Sequence, residues 1–335
     1  MSTATGSDIH YFEIAGFRFQ DGSTLSTTRL AYLDINPSSE KTALIITSFR
    51  GRLQSTLTFQ NGALHKYRII VVGLFGNGES SSPSNSTEFP TSIDYRDCVR
   101  AQRLLLEALG IQALDIVMGF SMGGQCAYYW TAMHPEFVGN AIIICASART
   151  SRHNYQFLEG PKAALENSID YPAYKRHVSG ASTKPIRGLH AFGKAYSAWL
   201  TSAEWFDREL YLTLGYRSFH DWDHHVAGLN YDSWDPDDLL AKLRMWQGGD
   251  ITKVEQTTAN QSLEETLSRI KARILLMPCS TDQYFRWEAS ERESSHIPRA
   301  TLRVIPSVWG HLAGFGINEE DTRWMDGQIA GFIAG

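Results

Sequence analysis

A serine at the centre of Gly119-Phe120-Ser121-Met122-Gly123, followed by Gly124, stands between an apolar run at 114–118 and a helix-patterned run at 125–133. A nucleophilic serine must protrude from a strand-to-helix turn so tight that only small residues fit two positions before and after it. The helix that follows then points its positive end at the place where an oxyanion forms. The chemistry this allows is acyl transfer through a covalent intermediate. A serine hydroxyl is a weak nucleophile, so it needs a general base, and the base needs an acid to orient it.

Where serine leads on such a turn, the acid and then the histidine follow, each at the end of a later strand. His311, in Trp309-Gly310-His311-Leu312, lies in a loop after a strand pattern at 301–305. The other ten of the 11 histidines fall in the tail, in helices or in the central segment described below. Asp282, in Cys279-Ser280-Thr281-Asp282, directly follows the strand pattern 274–277. Its carboxylate can accept the imidazole N–H and fix the tautomer. Asp250 and Glu255 are alternatives, but they precede that strand. An oxyanion hole needs two backbone donors. One is assigned to Met122, after the nucleophile, and the other to Phe49 in Ser48-Phe49-Arg50-Gly51. Arg50 and Arg52 flank that loop, where they either meet an anionic substrate group or are solvated.

The elements that must position these residues follow from periodicity. Strand patterns at 11–18, 29–35, 43–47, 68–73, 113–120 and 138–146 alternate with helical patterns at 92–109 and 122–134. Such alternation describes a mostly parallel sheet covered on both faces. From 149 to 268 the strand runs disappear and five of the nine tryptophans occur: Trp199, Trp205, Trp222, Trp234 and Trp246. Strand patterns return at 272–278 and 300–305, before a final helix at 321–333. The expected organisation is therefore a core at 1–148, a helical lid insertion at 149–268, and a second part of the core at 269–335.

Composition narrows the class. The 335 residues are 43% hydrophobic and 20% charged, with a net charge of −5, which gives no sign of a polyanionic partner. No apolar run approaches the ~20 residues that cross a bilayer. The polar first ten residues are unlike a secretory signal or a transit peptide, so a cytoplasmic enzyme is expected. Cys98, Cys126, Cys145 and Cys279 form no C-x-x-C pair and read as buried free thiols. His220-Asp221-Trp222-Asp223-His224-His225 has metal-ligand residue types, but nothing nearby completes a site, so it reads as polar lid surface and no metal is expected. Gly76-Asn77-Gly78-Glu79-Ser80 lacks the spacing of a nucleotide-binding loop and reads as a structural loop beside the active site.

The elbow Gly119-Phe120-Ser121-Met122-Gly123-Gly124-Gln125 resembles the signature of the homoserine O-acetyltransferase-like branch of the α/β-hydrolase superfamily. Asp97-Cys98-Val99-Arg100-Ala101-Gln102, Leu109-Gly110-Ile111, and the stretch from His134-Pro135 to Ala148-Arg149 are similar to it as well. Gly188-Leu189 and Tyr231-Asp232 extend the resemblance into the insertion. It implies an α/β-hydrolase fold with nucleophile, acid and base at Ser121, Asp282 and His311. It also implies an arginine, a few residues after the Gly-Leu pair, that binds the homoserine carboxylate. That position falls on Gly193, with Lys194 beside it, and Asp235-Pro236-Asp237-Asp238 replaces a later family motif. Gly73-Leu74-Phe75-Gly76-Asn77-Gly78, followed by Ser80-Ser81-Ser82-Pro83, resembles family members described as hydrolases.

A carboxylic ester hydrolase acting on a small-molecule ester, through an acyl-enzyme and without a cofactor, is the function expected. The alternative is an O-acetyltransferase that takes acetyl-CoA as co-substrate and acetylates an alcohol other than homoserine. A lyase, a cyclase or a binding protein on the same fold is the alternative from another class. The partners expected are an ester or an alcohol, with no nucleic acid and no membrane, in a chain that can act as a homodimer. Lys194, Arg50 and Arg52 are the candidates for contact with substrate.

Overall fold

The computed structural model describes residues 8–175, 184–254 and 261–335; residues 1–7 of the polar start, 176–183 and 255–260 lie outside it. Its strands are β1 (His10–Arg18), β2 (Thr24–Ile35), β3 (Lys41–Ile46), β4 (Tyr67–Val72), β5 (Leu114–Phe120), β6 (Val138–Ile144), β7 (Arg273–Met277) and β8 (Ala300–Leu302). They form one sheet in the order β1-β2-β4-β3-β5-β6-β7-β8. β2 runs antiparallel to both of its neighbours, and every pair from β4 to β8 is parallel.

The continuous apolar runs of the inner strands are what a sheet buried on both faces requires. Successive side chains alternate between the faces. Leu44, Ile46, Ile70 and Val72 enter one core, and Ala43, Ile45, Ile69 and Val71 enter the other. The first core is covered by α1 (Tyr95–Ala108) and α2 (Met122–Met133). Asp94 caps α1 and forms a reciprocal capping box with Asp97, so the helix begins at Tyr95 rather than at the expected 92.

Between β6 and β7 the chain builds α3 (Arg152–Glu166), α4 (Ile186–Ser197), α5 (Pro236–Gln247) and several shorter turns. Asp235 caps α5, and Pro236 opens its first turn. Aromatic rings weld this insertion to the core: Phe49 lies 5.3 Å from Tyr196, and Trp246 stacks on Phe285 at 5.4 Å. After β7 come α6 (Trp287–Ser294), which carries no clear apolar period, and α7 (Glu319–Ala334), whose Met325, Ile329 and Phe332 close the second core. β8 ends at Leu302, earlier than the expected 305, yet the N–H groups of Arg303 and Ile305 still donate to Leu276 and Pro278. All four cysteines are buried and free.

Glu293 of α6 is buried where three parts of the fold meet. Its carboxylate accepts from Tyr128 Oη of α2 at 2.6 Å and from the Ala148 N–H, at the root of the insertion, at 2.9 Å. Burial raises its pKa from 4.5 to about 7, against the lowering effect of those two hydrogen bonds. The folded state therefore holds this proton more tightly than the unfolded chain, and stability declines as pH rises from about 4.5 to about 7. E293Q cannot titrate, so the gap in Tm between E293Q and the wild type should move in favour of E293Q between pH 5 and pH 8. Thermal melts of both proteins across that range check it. Parallel Tm curves would contradict this assignment.

Candidate active site

Ser121 occupies a left-handed conformation, φ 57° and ψ −124°, between the end of β5 and the start of α2. Holding a non-glycine residue there costs about 1–3 kcal/mol, which the surrounding structure must supply. The glycines explain how. A Cβ on Gly119 would lie 2.1 Å from the Gly123 carbonyl carbon, and one on Gly123 would lie 2.3 Å from the Ile46 oxygen. One on Gly124 would lie 2.6 Å from the Ala146 Cβ. The turn is pressed against β3 and the end of β6, and the Ser121 N–H donates to Ile144 O at 2.9 Å.

His311 reaches this hydroxyl from a 3-10 turn, Gly310–Phe315, rather than from an irregular loop. Its Nε2 stands 2.9 Å from Ser121 Oγ, and its Nδ1 stands 2.7 Å from Asp282 Oδ2. A carboxylate only accepts, so Nδ1–H donates to Asp282, and Nε2 is left to accept the serine proton. The other oxygen of Asp282 accepts the N–H groups of Tyr284 at 2.8 Å and Phe285 at 3.2 Å. Thr281 joins the two loops. Its Oγ1 donates to Ser307 O at 2.7 Å and accepts from the Gly310 N–H at 3.1 Å. Gly310, at φ 59°, sits so close to the insertion that a Cβ would lie 2.7 Å from Thr201 Cα. The three residues singled out from sequence thus converge. Asp250 pairs instead with Arg149 at 3.0 Å, and Glu255 lies outside the described residues.

Phe49 follows β3, and Met122 opens α2, so both amides adjoin the elbow. Among the described residues neither N–H has a protein acceptor, which leaves both free for an oxyanion. Ser121 and His311 open on a cavity of about 250 Å³ that also touches Phe49 and Arg50. Most of its wall is apolar, and much comes from the insertion: Tyr196, Leu200, Leu214, Tyr216, Trp222 and Val226. Apart from Tyr196 on α4, these positions are scattered over short turns and connections and showed no period in the sequence. Of the five insertion tryptophans, Trp222 lines this cavity; Trp205 and Trp246 pack in the cores.

The three candidate substrate contacts fall in different places. Arg50 borders the cavity, but its guanidinium donates to Asn230 O at 3.0 Å and lies over the Tyr231 ring at 4.1 Å. Arg52 turns away from the cavity. It donates to Asn77 O and lies 4.0 Å over Trp234. Lys194 is exposed and pairs with Asp223 at an open outer depression. Gly193 is tightly packed, since a Cβ would lie 2.2 Å from Ala227 O and 2.6 Å from the Tyr231 ring.

Among the described residues, the one group with the ligand types and proximity to hold a metal is Cys145, Asp282 and His311. Burial raises the Cys145 thiol well above its ordinary pKa, and Asp282 is bonded to His311, so the set is poorly suited to a cation. Asp221, in the histidine-bearing run of the insertion, is held by Arg217 at 3.3 Å.

The chain belongs to the α/β hydrolase fold family, whose profile matches residues 46–315. It is 33% identical over 275 residues to an ethyl acetate hydrolase of Pseudomonas veronii, covering 80% of this chain and 77% of that protein. It is 27% identical over 296 residues to a homoserine O-acetyltransferase of Methanocorpusculum labreanum, covering 79% of this chain and 57% of the other. The solved structure of the acetyl esterase MekB superposes with a TM-score of 0.90 at 29% identity, covering 98% of this chain and 97% of that one. The chain is thus an α/β-hydrolase-fold enzyme with both esterase and acyltransferase relatives. Among the described residues no helix is long and apolar enough to cross a membrane.

Asp282→Asn tests how the imidazole is held. An asparagine oxygen can still accept from Tyr284 and Phe285, but its amide group facing Nδ1 would force the imidazole proton onto Nε2. The expected result is a loss of kcat of about 10⁴ at unchanged Tm. Ester-hydrolysis rates beside a melting curve measure both, and a loss below tenfold would contradict the geometry.

Proposed function

We propose that this enzyme hydrolyses small carboxylic esters, short acyl esters such as acetates above all, through an acyl-enzyme on Ser121. The observation that carries the reading is the 2.9 Å contact between His311 Nε2 and Ser121 Oγ at the wall of a mostly apolar cavity of about 250 Å³. Ser121 Oγ attacks the ester carbonyl carbon as its proton passes to His311 Nε2. Asp282 stabilises the imidazolium, and the Phe49 and Met122 amides receive the oxyanion. Collapse breaks the bond to the leaving alcohol, which takes the proton from His311. Water then attacks the acyl-enzyme, with His311 again as base, and releases the acid.

The insertion acts as a lid that shapes the acyl and alcohol pocket. The likeness to an ethyl acetate hydrolase and to an acetyl esterase supports the short acyl chain. Hydrolysis is favoured over transfer to homoserine by Gly193. An amino-acid carboxylate entering a partly dry pocket needs a fixed, preferably bidentate, cation to offset its lost hydration. No arginine fits where Ala227 O and Tyr231 close on Gly193. The nearby Lys194 is a flexible point charge committed to Asp223. This chemistry needs no cofactor, and acetyl-CoA enters only as an acyl donor to some other alcohol.

Ser121→Ala should lower kcat for p-nitrophenyl acetate by several powers of ten and abolish labelling by a fluorophosphonate. Retention of more than about a tenth of the rate, under ~1.4 kcal/mol of barrier, would sink the covalent mechanism. Acetyl-CoA consumption should not rise when L-homoserine is added to the wild type. Saturable acetylation of homoserine would transfer the reading to an acetyltransferase.

A further inference from the structure

We propose that Lys242, carried by α5 of the insertion, is a positioning residue for the oxyanion hole, holding the Ser48–Phe49 peptide so that the Phe49 N–H faces the reacting carbonyl. The inference rests on the acyl-enzyme reading above. Lys242 is completely buried, and its Nζ donates to Ser48 O at 2.5 Å. That carbonyl belongs to the same peptide unit as the Phe49 N–H. A trans peptide is planar, with C=O and N–H pointing in opposite directions, so fixing the oxygen fixes the hydrogen. The Gly51 N–H donates to the same oxygen at 3.2 Å, which closes the turn but brings no charge. An ammonium donor makes the stronger hydrogen bond and polarises the peptide, which strengthens its N–H as a donor.

The surroundings are built around this lysine. Its stem passes Gly76, at φ 79°, where a Cβ would lie 3.1 Å from Lys242 Cγ. The glycine-bearing loop beside the site therefore gives the lysine its path. Glu79 from that loop, Asp238 from α5, Arg52 from the oxyanion loop and Cys98 from α1 are the ionisable groups that act on it. Burial, with Arg52 adding to it and the acids opposing it, draws its pKa down to about 7, so near neutral pH the ammonium coexists with a neutral amine that still donates to Ser48 O. Helix α5 thus grips the Ser48–Phe49 peptide itself through this hydrogen bond, and how α5 seats governs how well Phe49 receives charge.

The test compares K242M, K242Q and K242R on p-nitrophenyl acetate, with a boronic acid as the tetrahedral analogue. Losing an oxyanion donor outright costs about 10²–10³ in kcat, so losing its orientation should cost roughly ten- to a hundredfold. K242M should show that fall in kcat with KM within about twofold, and boronate affinity should weaken by a similar factor. K242R, which restores a cation, should recover most of the rate. If K242M fails to fold, K242R should still outpace K242Q at comparable Tm. A K242M enzyme with unchanged kcat and boronate affinity would overturn the proposal, and so would one whose loss appears in KM alone. Fluorophosphonate labelling of Ser121 in the wild type, run alongside, separates these outcomes from failure of the acyl-enzyme itself.

Discussion

The left-handed backbone of Ser121 is the constraint on which the site depends. Strand β5 cannot deliver a hydroxyl to open space and pass at once into a helix unless this residue takes a conformation that side chains avoid. The strain is held by close contact, because Gly119, Gly123 and Gly124 let the turn sink onto β3, β6 and its own first helical residues. Every other distance in the candidate site is measured from that fixed point. His311 and Asp282 come from the ends of the strands beyond β6, and the Phe49 amide comes from the end of β3. A parallel sheet brings all of these ends to one edge.

The same edge is where the insertion docks, and it docks with charge as well as with rings. Arg52 and Glu79 from core loops face Asp238 and Lys242, one turn apart on α5, in a largely buried cluster. Asp238 also accepts from the Ser84 N–H and Oγ at 2.9 and 2.7 Å, which fixes the start of α5 to the core. On the other side of the cavity Leu312 N–H donates to Leu200 O at 3.2 Å, next to His311. The insertion is therefore fastened beside both the Phe49 loop and His311, and its side chains line the cavity between them.

Much of this could be read from the chain. The elbow was legible because steric demands fix the residue type at each of its positions, and the convergence of Asp282 and His311 on it because both follow later strands in chain order. The buried strands of the core were legible for the same reason: their apolar runs have one physical explanation. Arg52 and Lys194 lie away from the cavity, which proximity in sequence could not show. A long cationic side chain goes where acceptors and rings await it, and for Arg52 those are Asn77 O and Trp234, across a loop boundary. Lys242 did leave a signal, since it sits in the apolar stripe formed by Leu239, Leu243 and Trp246. A lysine there must find an acceptor in the interior, but only the fold reveals that the acceptor is the Ser48 carbonyl, in the loop beside Ser121.

Acyl transfer through Ser121 is tested most directly by trapping the proposed intermediate. Wild-type enzyme mixed with p-nitrophenyl acetate and quenched in acid within the first turnover should carry one acetyl group on the peptide that contains Ser121. The label should appear with the initial burst of p-nitrophenol and disappear as the substrate is consumed. Steady turnover with no acetylated peptide at any quench time, or with the acetyl group on a different residue, would rule out acyl transfer through Ser121.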